Sequence, residues 1–292
     1  MTAARKQPEE NGAKPQTRIV VGLDTSAVAR EALALAARLA ASVDARLKGV
    51  FVEDENLLDL ADLPFAREIS FSGEVRELDP ARMLRAMKAQ AESARRVLAR
   101  IAAEAQIDWS FDVRRGRPLQ SLALHAARED TLVIRPQAGA AREVGRAVRA
   151  ATREAHADVL LVTRGAGAKG ALVAPALHHA GRQLPRPGRP VAALDDGSSP
   201  GQACSAFAET LAARIGAPFT RIAGRGRAPA DIAIAAREAG TGILVVNADW
   251  FGDDDDAARL SAAAGCPVLL LGKERSPLDI LDESLLSAPK GE

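Results

Sequence analysis

The pattern of apolar and polar positions along the chain alternates between strand-like and helix-like segments. A β-branched, apolar run within Thr17–Ser26 ends in polar residues, which is typical of the first strand of an open α/β sheet. Arg46–Glu53 is predicted to be the second strand. Between them, apolar residues at helical spacing predict a helix: Val28, Ala32, Leu35 and Leu39. A helix between two strands of this kind predicts a right-handed unit with a parallel pair.

The same alternation predicts the remainder of a first domain. Asp54–Asp79 lacks a clean period, so we expect a long loop with a short helix around Asn56–Leu63. Such a loop either covers a site or is a plain surface insertion. Pro80–Ala105 keeps one face apolar and predicts a long helix. Further elements are predicted as follows: strands Trp109–Arg114, Thr131–Ile134 and Asp158–Thr163, a helix after Pro118 and a helix over Gly145–Ala155. This order predicts a doubly wound α/β domain.

The chain then repeats the plan in shortened form. Arg189–Ser199 is similar to the opening segment and again leads into a helical pattern. Alternating helices and strands follow, with strands predicted at Phe219–Ala223, Gly242–Val246 and Pro267–Leu271. The long loop, the long helix and one strand of the first domain have no counterpart. We therefore expect five regions: a disordered tail over 1–16, a first domain over 17–164, a linker over 165–189, a second, reduced domain over 190–272 and a C-terminal tail over 273–292.

Composition and charge exclude several classes of partner. Hydrophobic residues make up 47% of the chain but aromatic residues only 3%, so the cores must consist of alanine and aliphatic side chains. The net charge of +1 gives no reason to expect a nucleic-acid partner. No stretch approaches the ~20 apolar residues that cross a bilayer, and residues 1–16 lack the apolar run of a secretory signal. We expect a cytoplasmic protein without a membrane partner.

Few residues have the placement that chemistry requires. Ligands of open parallel sheets bind beyond the carboxyl ends of the strands, so Asp24 is placed to accept hydrogen bonds from a ligand. The alternative is that Asp24 only caps the following helix, together with Thr25 and Ser26. The run Asp253–Asp256 most simply begins a helix, with a divalent-metal site as the minor alternative. His125 lacks an acidic or histidine partner at ligand spacing.

The motifs of common enzyme classes are missing from the chain. It contains no Gly-x-Ser-x-Gly, no complete phosphate loop, no His-Glu-x-x-His and no Cys-x-x-Cys. Its two cysteines, Cys204 and Cys266, form neither a metal motif nor a disulfide framework. We therefore predict no catalytic residue, no metal site and no enzymatic activity.

Four short segments carry a resemblance to a known family. The opening Gly22–Ser26, the second strand Gly49–Asp54, the turn Gly116–Pro118 and the final strand Gly265–Leu271 resemble those of the universal stress proteins, as does the order of elements. The resemblance spans 17–164 and, less completely, 190–272. It implies a tandem universal stress protein with a reduced second domain, in which both domains have a Rossmann-like fold of the adenine nucleotide alpha hydrolase type.

The resemblance also implies a nucleotide site, which this sequence alters. Many family members bind ATP, so Asp24 would lie near the adenosine and Val52 against the adenine. The family holds the phosphates on a glycine-rich loop after strand four, where glycines let backbone N–H groups approach the phosphate oxygens. Here Arg135 and Ala138 replace the first two glycines, and Pro136 removes a backbone donor.

The end of this loop is altered in part. Gly145 matches the third glycine, whereas Arg146 replaces the hydroxyl residue that follows it. The guanidinium groups of Arg135, Arg142 and Arg146 could bind phosphate in place of the glycines, because their geometry suits phosphate oxygens.

Two functions are compatible with these residues. The first is a non-enzymatic stress-response protein that needs no cofactor and acts through association with a protein partner. The alternative is a stress sensor that binds ATP or AMP through Asp24, Val52 and the three arginines, with Gly145 retained from the loop.

The resemblance carries one further expectation, about pairing. Family members commonly dimerise through the last strand, and a tandem chain can make that contact internally. We expect Val159–Val162 and Val268–Leu271 to be paired or closely apposed, in a pseudo-twofold arrangement. A further homodimer of the whole chain is left open.

Overall fold

A computed structural model describes residues 17–24, 27–69, 72–136, 139–163 and 188–272. We refer to residues 17–163 as the first half and to residues 188–272 as the second half. The predicted tails 1–16 and 273–292 lie outside the described residues, as does nearly all of the predicted linker 165–189. The assignment of two domains with these boundaries remains a prediction.

Strands and helices alternate along the described residues. The strands are β1 (Arg18–Leu23), β2 (Arg46–Asp54), β3 (Arg67–Ile69), β4 (Val75–Glu77), β5 (Trp109–Gly116), β6 (Asp130–Ile134), β7 (Asp158–Leu161), β8 (Val191–Asp195), β9 (Phe219–Ala223), β10 (Ile243–Asn247) and β11 (Val268–Leu271). The helices are α1 (Ala27–Val43), α2 (Glu55–Ala61), α3 (Pro80–Ala105), α4 (Pro118–Ala123), α5 (Ala141–Arg149), α6 (Ser199–Ile215), α7 (Pro229–Glu238) and α8 (Asp254–Ala264). A π-helical turn, Ala150–Glu154, extends α5, and a 3-10 turn, Ala248–Trp250, follows β10.

Nine of these strands form one sheet in the order β5-β2-β1-β6-β7-β11-β10-β8-β9. Neighbouring strands pair in parallel within each half. The halves meet where β7 and β11 pair antiparallel, with Val268 opposite Leu161 and Leu270 opposite Val159. The predicted pairing of the two last strands is therefore confirmed, and the expected α/β fold takes the form of a single continuous sheet.

Helices cover both faces of the sheet, as a doubly wound fold requires. One face is packed by α1, α3 and α6, through side chains such as Leu33, Leu98 and Leu211. The other is packed by α4, α5, α7 and α8, through Leu122, Val144, Ile232 and Leu260. Helix α3 approaches β2 closely because Gly49 has no side chain. A Cβ there would lie 2.6 Å from Leu98 Cδ2, so a larger residue would require the Leu98 side chain to shift.

Helix ends follow local signals where the sequence provides them. α3 begins where the Asp79 side chain accepts a hydrogen bond of 2.9 Å from the Ala81 backbone N–H. α6 ends at Gly216, which has a φ of 66° that favours glycine. The prediction that α5 begins at Gly145 is wrong by four residues. Its N-cap is Ala140, which makes no side-chain hydrogen bond, so no residue type marks the start of this helix.

The long segment between β2 and α3 is more ordered than expected. The predicted short helix is present as α2, and β3 and β4 form an antiparallel hairpin after it that the sequence pattern did not predict. The second half passes from β9 to β10 through α7 alone, so it lacks counterparts of α3 and β5 as expected. Among the described residues, no helix is both long and apolar enough to cross a membrane.

Candidate functional site

The candidate site lies at the carboxyl ends of three neighbouring strands. Leu23 of β1 pairs with Phe51 of β2, so Asp24 and Val52 follow at adjacent positions. Val21 of β1 pairs with Val133 of β6, which ends at Ile134 and leads directly into Arg135. Because β1 lies between β2 and β6, the ends of three separate segments lie side by side at this edge of the sheet.

Arg135 and Asp24 form an ion pair in which Nη2 of the guanidinium donates to Oδ2 of the carboxylate. The Arg135 side chain is 16% exposed, and that of Asp24 is 43% exposed. A guanidinium shielded to this extent is held by its partner more firmly than one at the open surface. Arg135 is therefore directed at the carboxylate and joins the end of β6 to the end of β1.

This ion pair changes what the site can do. A carboxylate at the end of β1 would bind a sugar hydroxyl by accepting its hydrogen, and Oδ2 of Asp24 already accepts from a cation. A ligand hydroxyl at Oδ2 must share that oxygen with Arg135 or displace the guanidinium. While the ion pair is formed, Nη2 of Arg135 donates to the carboxylate of Asp24.

The remaining predicted residues do not gather around this pair in one cradle. Val52 is half-buried and packs on the sheet face that carries α4 and α5. Gly145 is buried in the second turn of α5, where the Val144 N–H already donates to the Ala140 carbonyl at 2.9 Å. The N–H of Gly145 therefore belongs to the helical ladder and not to the free first turn that binds anions. Gly145 lines a small cleft between α5 and α8.

Arg142 and Arg146 are exposed on α5 and lie one helical turn apart. Such a pair can present two cations to an anion in solvent. The structure therefore places Arg142 and Arg146 on the helix surface. Arg135, in contrast, is directed at Asp24.

A cavity of about 210 Å³ opens beside Asp24 between α1 and α3. Its walls are mainly apolar, and Asp24, Arg30 and Ser93 provide the polar groups.

Comparisons with family models and curated proteins found no match, whereas solved structures resemble the chain. A universal stress protein from Archaeoglobus fulgidus DSM 4304 covers 89% of this chain and 98% of its own, at 11% identity and a TM-score of 0.55. The chain has the universal stress protein fold. A putative universal stress protein from Pseudomonas aeruginosa UCBPP-PA14 covers 94% and 99% of the two chains, at 12% identity and a TM-score of 0.47. The cytoplasmic domain of a prokaryotic cation chloride cotransporter covers 91% and 100%, at 14% identity and a TM-score of 0.47.

The second half of this universal stress protein fold contains equivalents of Asp24 and Arg135, but these residues make different contacts. Ala193 pairs with Val245 as Val21 pairs with Val133, so Asp196 corresponds to Asp24 and Asn247 to Arg135. Asp196 Oδ1 accepts hydrogen bonds from the Ser198 hydroxyl at 2.5 Å and from its N–H at 3.0 Å.

Asp196 and Asn247 each form hydrogen bonds within their own turn. The hydrogen bond from the Ser198 hydroxyl is the main cause that lowers the pKa of Asp196. The Asn247 side chain accepts from the Asp249 N–H at 2.8 Å. The second position thus stabilises two local turns, whereas the first joins two strands.

The other side chains that could take part in chemistry are hydrogen-bonded or buried. His125 Nδ1 lies 2.7 Å from the Ser121 carbonyl oxygen. Burial raises the pKa of the Cys204 and Cys266 thiols to about 12, which keeps both in the unreactive thiol form. No group of three or more histidine, cysteine or acidic residues in the described part of the chain could hold a metal ion.

Sequence reasoning did not single out two features of this region. Glu53 is a largely buried carboxylate at the end of β2, and its Oε2 accepts from Arg115 Nη2 of the neighbouring β5 at 3.1 Å. The pairing of Asp24 with Arg135 was also missed. The sequence offered a signal for the proximity of these two residues only, because the strand order of a doubly wound sheet places the ends of strands one and four side by side.

Proposed function

We propose that the chain is a non-enzymatic, cytoplasmic tandem universal stress protein that acts in stress response through protein association. In this proposal, the nucleotide site of the first half has a degenerate phosphate loop and is closed by Arg135. The observation that carries the proposal is the ion pair between Arg135 and Asp24. The acid that would contact adenosine is bound instead by the residue that replaces the first glycine of the loop.

Two further observations support a closed site. The amide of Gly145 belongs to the α5 ladder, so its N–H is not available to a phosphate. In the second half, Asp196 and Asn247 are engaged in their own turns. Each half thus satisfies the polar end of its first strand with groups of the chain itself, without a ligand.

One alternative keeps the site open to nucleotide. A sensor that binds ATP or AMP would use Asp24, Val52 and the arginines Arg135, Arg142 and Arg146. The cavity of about 210 Å³ beside Asp24 and the exposed pair on α5 favour this alternative. It requires the phosphates to share the Arg135 guanidinium with Asp24 or to take it over, so nucleotide binding would have to compete with the ion pair.

Nucleotide retention separates the two functions. The purified full chain is denatured, and the supernatant is chromatographed for adenine nucleotides. We expect the wild-type protein to carry no more nucleotide than the Asp24→Ala variant purified in parallel. Stoichiometric ATP or AMP in the wild type, absent from Asp24→Ala, would overturn the proposed function and support the sensor.

A further inference from the structure

The exposed apolar surface of the described chain is concentrated in one segment. Six of its nine exposed large hydrophobic side chains lie between residues 57 and 75: Leu57, Leu60, Leu63, Phe65, Ile69 and Val75. They belong to α2, to the turn after it and to the β3–β4 hairpin. Large exposed apolar patches usually mark interaction sites.

The hairpin has one face directed at the protein and one face directed away from it. Glu68 is directed at α3, since its carboxylate pairs with Arg82 of α3 at 3.3 Å. Successive side chains of a strand alternate in direction, so Arg67 and Ile69 lie on the opposite face. Their cross-strand partners are Glu77 and Val75 respectively. We call these four residues the outer face of the hairpin.

The outer face leaves two apolar side chains exposed to solvent. Ile69 is 74% exposed and its partner Val75 is 53% exposed. Each strand of the hairpin is three residues long, and no third strand joins this sheet in the described chain. Two strands alone are marginally stable in water, so this hairpin gains from a surface that covers its apolar pair.

The outer face is self-complementary, which is the property that a contact between two copies of the chain requires. Arg67 lies opposite Glu77, and Ile69 lies opposite Val75. A twofold axis parallel to the strands would lay β3 of one copy over β4 of the other. Arg67 would then face Glu77 of the second copy, and Ile69 would face its Val75. Both copies would make the same contacts, as an isologous dimer interface requires.

We propose that the outer face of the hairpin is a homodimer contact and that its partner is a second copy of this chain. The inference deepens the proposed function and rests on it in one respect, which is that the chain acts by protein association. The contact lies in the first half, on a segment separate from the antiparallel β7–β11 pairing that joins the two halves. A chain that has satisfied its last strands internally can therefore still pair through this second surface.

Opposite charge reversals on two separate chains test the contact. Arg67→Glu places like charges across the twofold axis, and so does Glu77→Arg. In a mixture of the two variants, a mixed dimer restores opposite charges at both positions between the chains, while the cross-strand pair within each hairpin still carries two like charges. Rescue by mixing therefore reports a contact between chains and not the repair of one hairpin. Arg225→Glu, at an exposed position of the second half, is the matched control.

Sedimentation of the full chain up to about 100 μM covers the affinities expected of a small protein interface. We expect the wild type and Arg225→Glu to sediment at the mass of two chains, and each hairpin variant alone at the mass of one. The equimolar mixture should return to the mass of two chains. A monomeric wild type, single variants as dimeric as the wild type, or a mixture that stays monomeric would each overturn the inference.

Nucleotide content, measured on the same samples, separates this inference from the proposed function. A dimeric wild type that carries stoichiometric nucleotide would overturn the proposed function and leave the dimer contact in place. A monomeric wild type without nucleotide would overturn the dimer contact and leave the closed site in place.

Discussion

The two halves of the sheet treat the polar end of their first strand differently. In the first half, Asp24 pairs with Arg135, which follows the neighbouring strand β6. In the second half, Asp196 bonds to Ser198 two residues later, and Asn247 bonds to Asp249. The same arrangement of strands is therefore compatible either with an ion pair between two strand ends or with two separate hydrogen-bonded turns. Only the first arrangement keeps side chains from separate segments together, which is what a ligand site requires.

A pair of double-mutant cycles should show the largest effect of this difference. Asp24→Ala, Arg135→Ala and the double variant form one cycle, and Asp196→Ala, Asn247→Ala and their double variant form the matched control. We expect a coupling free energy of about 1 kcal/mol for Asp24 and Arg135, because opposite charges meet in a partly shielded position. For Asp196 and Asn247 we expect coupling of less than about 0.3 kcal/mol, because each bonds within its own turn.

Urea unfolding followed by circular dichroism measures both cycles. Equal coupling in the two cycles would contradict the contrast between the halves. The first cycle also tests the geometry on which the closed site depends, since a coupling of zero would mean that Arg135 does not interact with Asp24 in solution.

A smaller effect should appear in the pH dependence of stability. The pKa of Asp196 is lowered from 3.8 in the folded chain, mainly because the Ser198 hydroxyl donates to its charged form. A lowered pKa means that Asp196 stabilises the fold above pH 3.8 and that this contribution is lost as the pH falls through the folded value. We therefore expect Asp196→Asn to lose less stability than the wild type on acidification from about pH 5 to about pH 2.

Thermal unfolding over that pH range checks the prediction, and Asp59→Asn, at an exposed position of α2, serves as a control variant. An identical acid dependence of the wild type and Asp196→Asn would show that the turn gains nothing from the charge of Asp196.

Much of the fold could be predicted because its strands are short, apolar and separated by amphipathic helices. Runs such as Ile19–Val21 and Val268–Leu271 are buried in the sheet, and their uninterrupted apolar sequence indicates this burial. The hairpin β3–β4 could not be predicted from the same signal. Its strands, Arg-Glu-Ile and Val-Arg-Glu, are three residues long and mostly exposed, so no core face imposes a pattern on them.

The position of the candidate site could be predicted, but the ion pair within it could not. Asp24 could be placed at the end of β1 from the strand pattern alone. The direction of the Arg135 side chain could not, because it depends on packing between segments that are 111 residues apart in the chain. The position of Gly145 within α5 was missed for a different reason, since the helix begins at an uncapped alanine.

The central claim is that Arg135 occupies Asp24 and that the chain therefore does not take up nucleotide. Calorimetric titration of the wild type with Mg-ATP up to about 1 mM tests it most directly, since that range detects binding of roughly −4 kcal/mol or stronger. Asp196→Ala is the matched control for a change at the second half. We predict no saturable heat for the wild type or for this control. Saturable binding of ATP by the wild type that Asp24→Ala abolishes and Asp196→Ala preserves would contradict the claim.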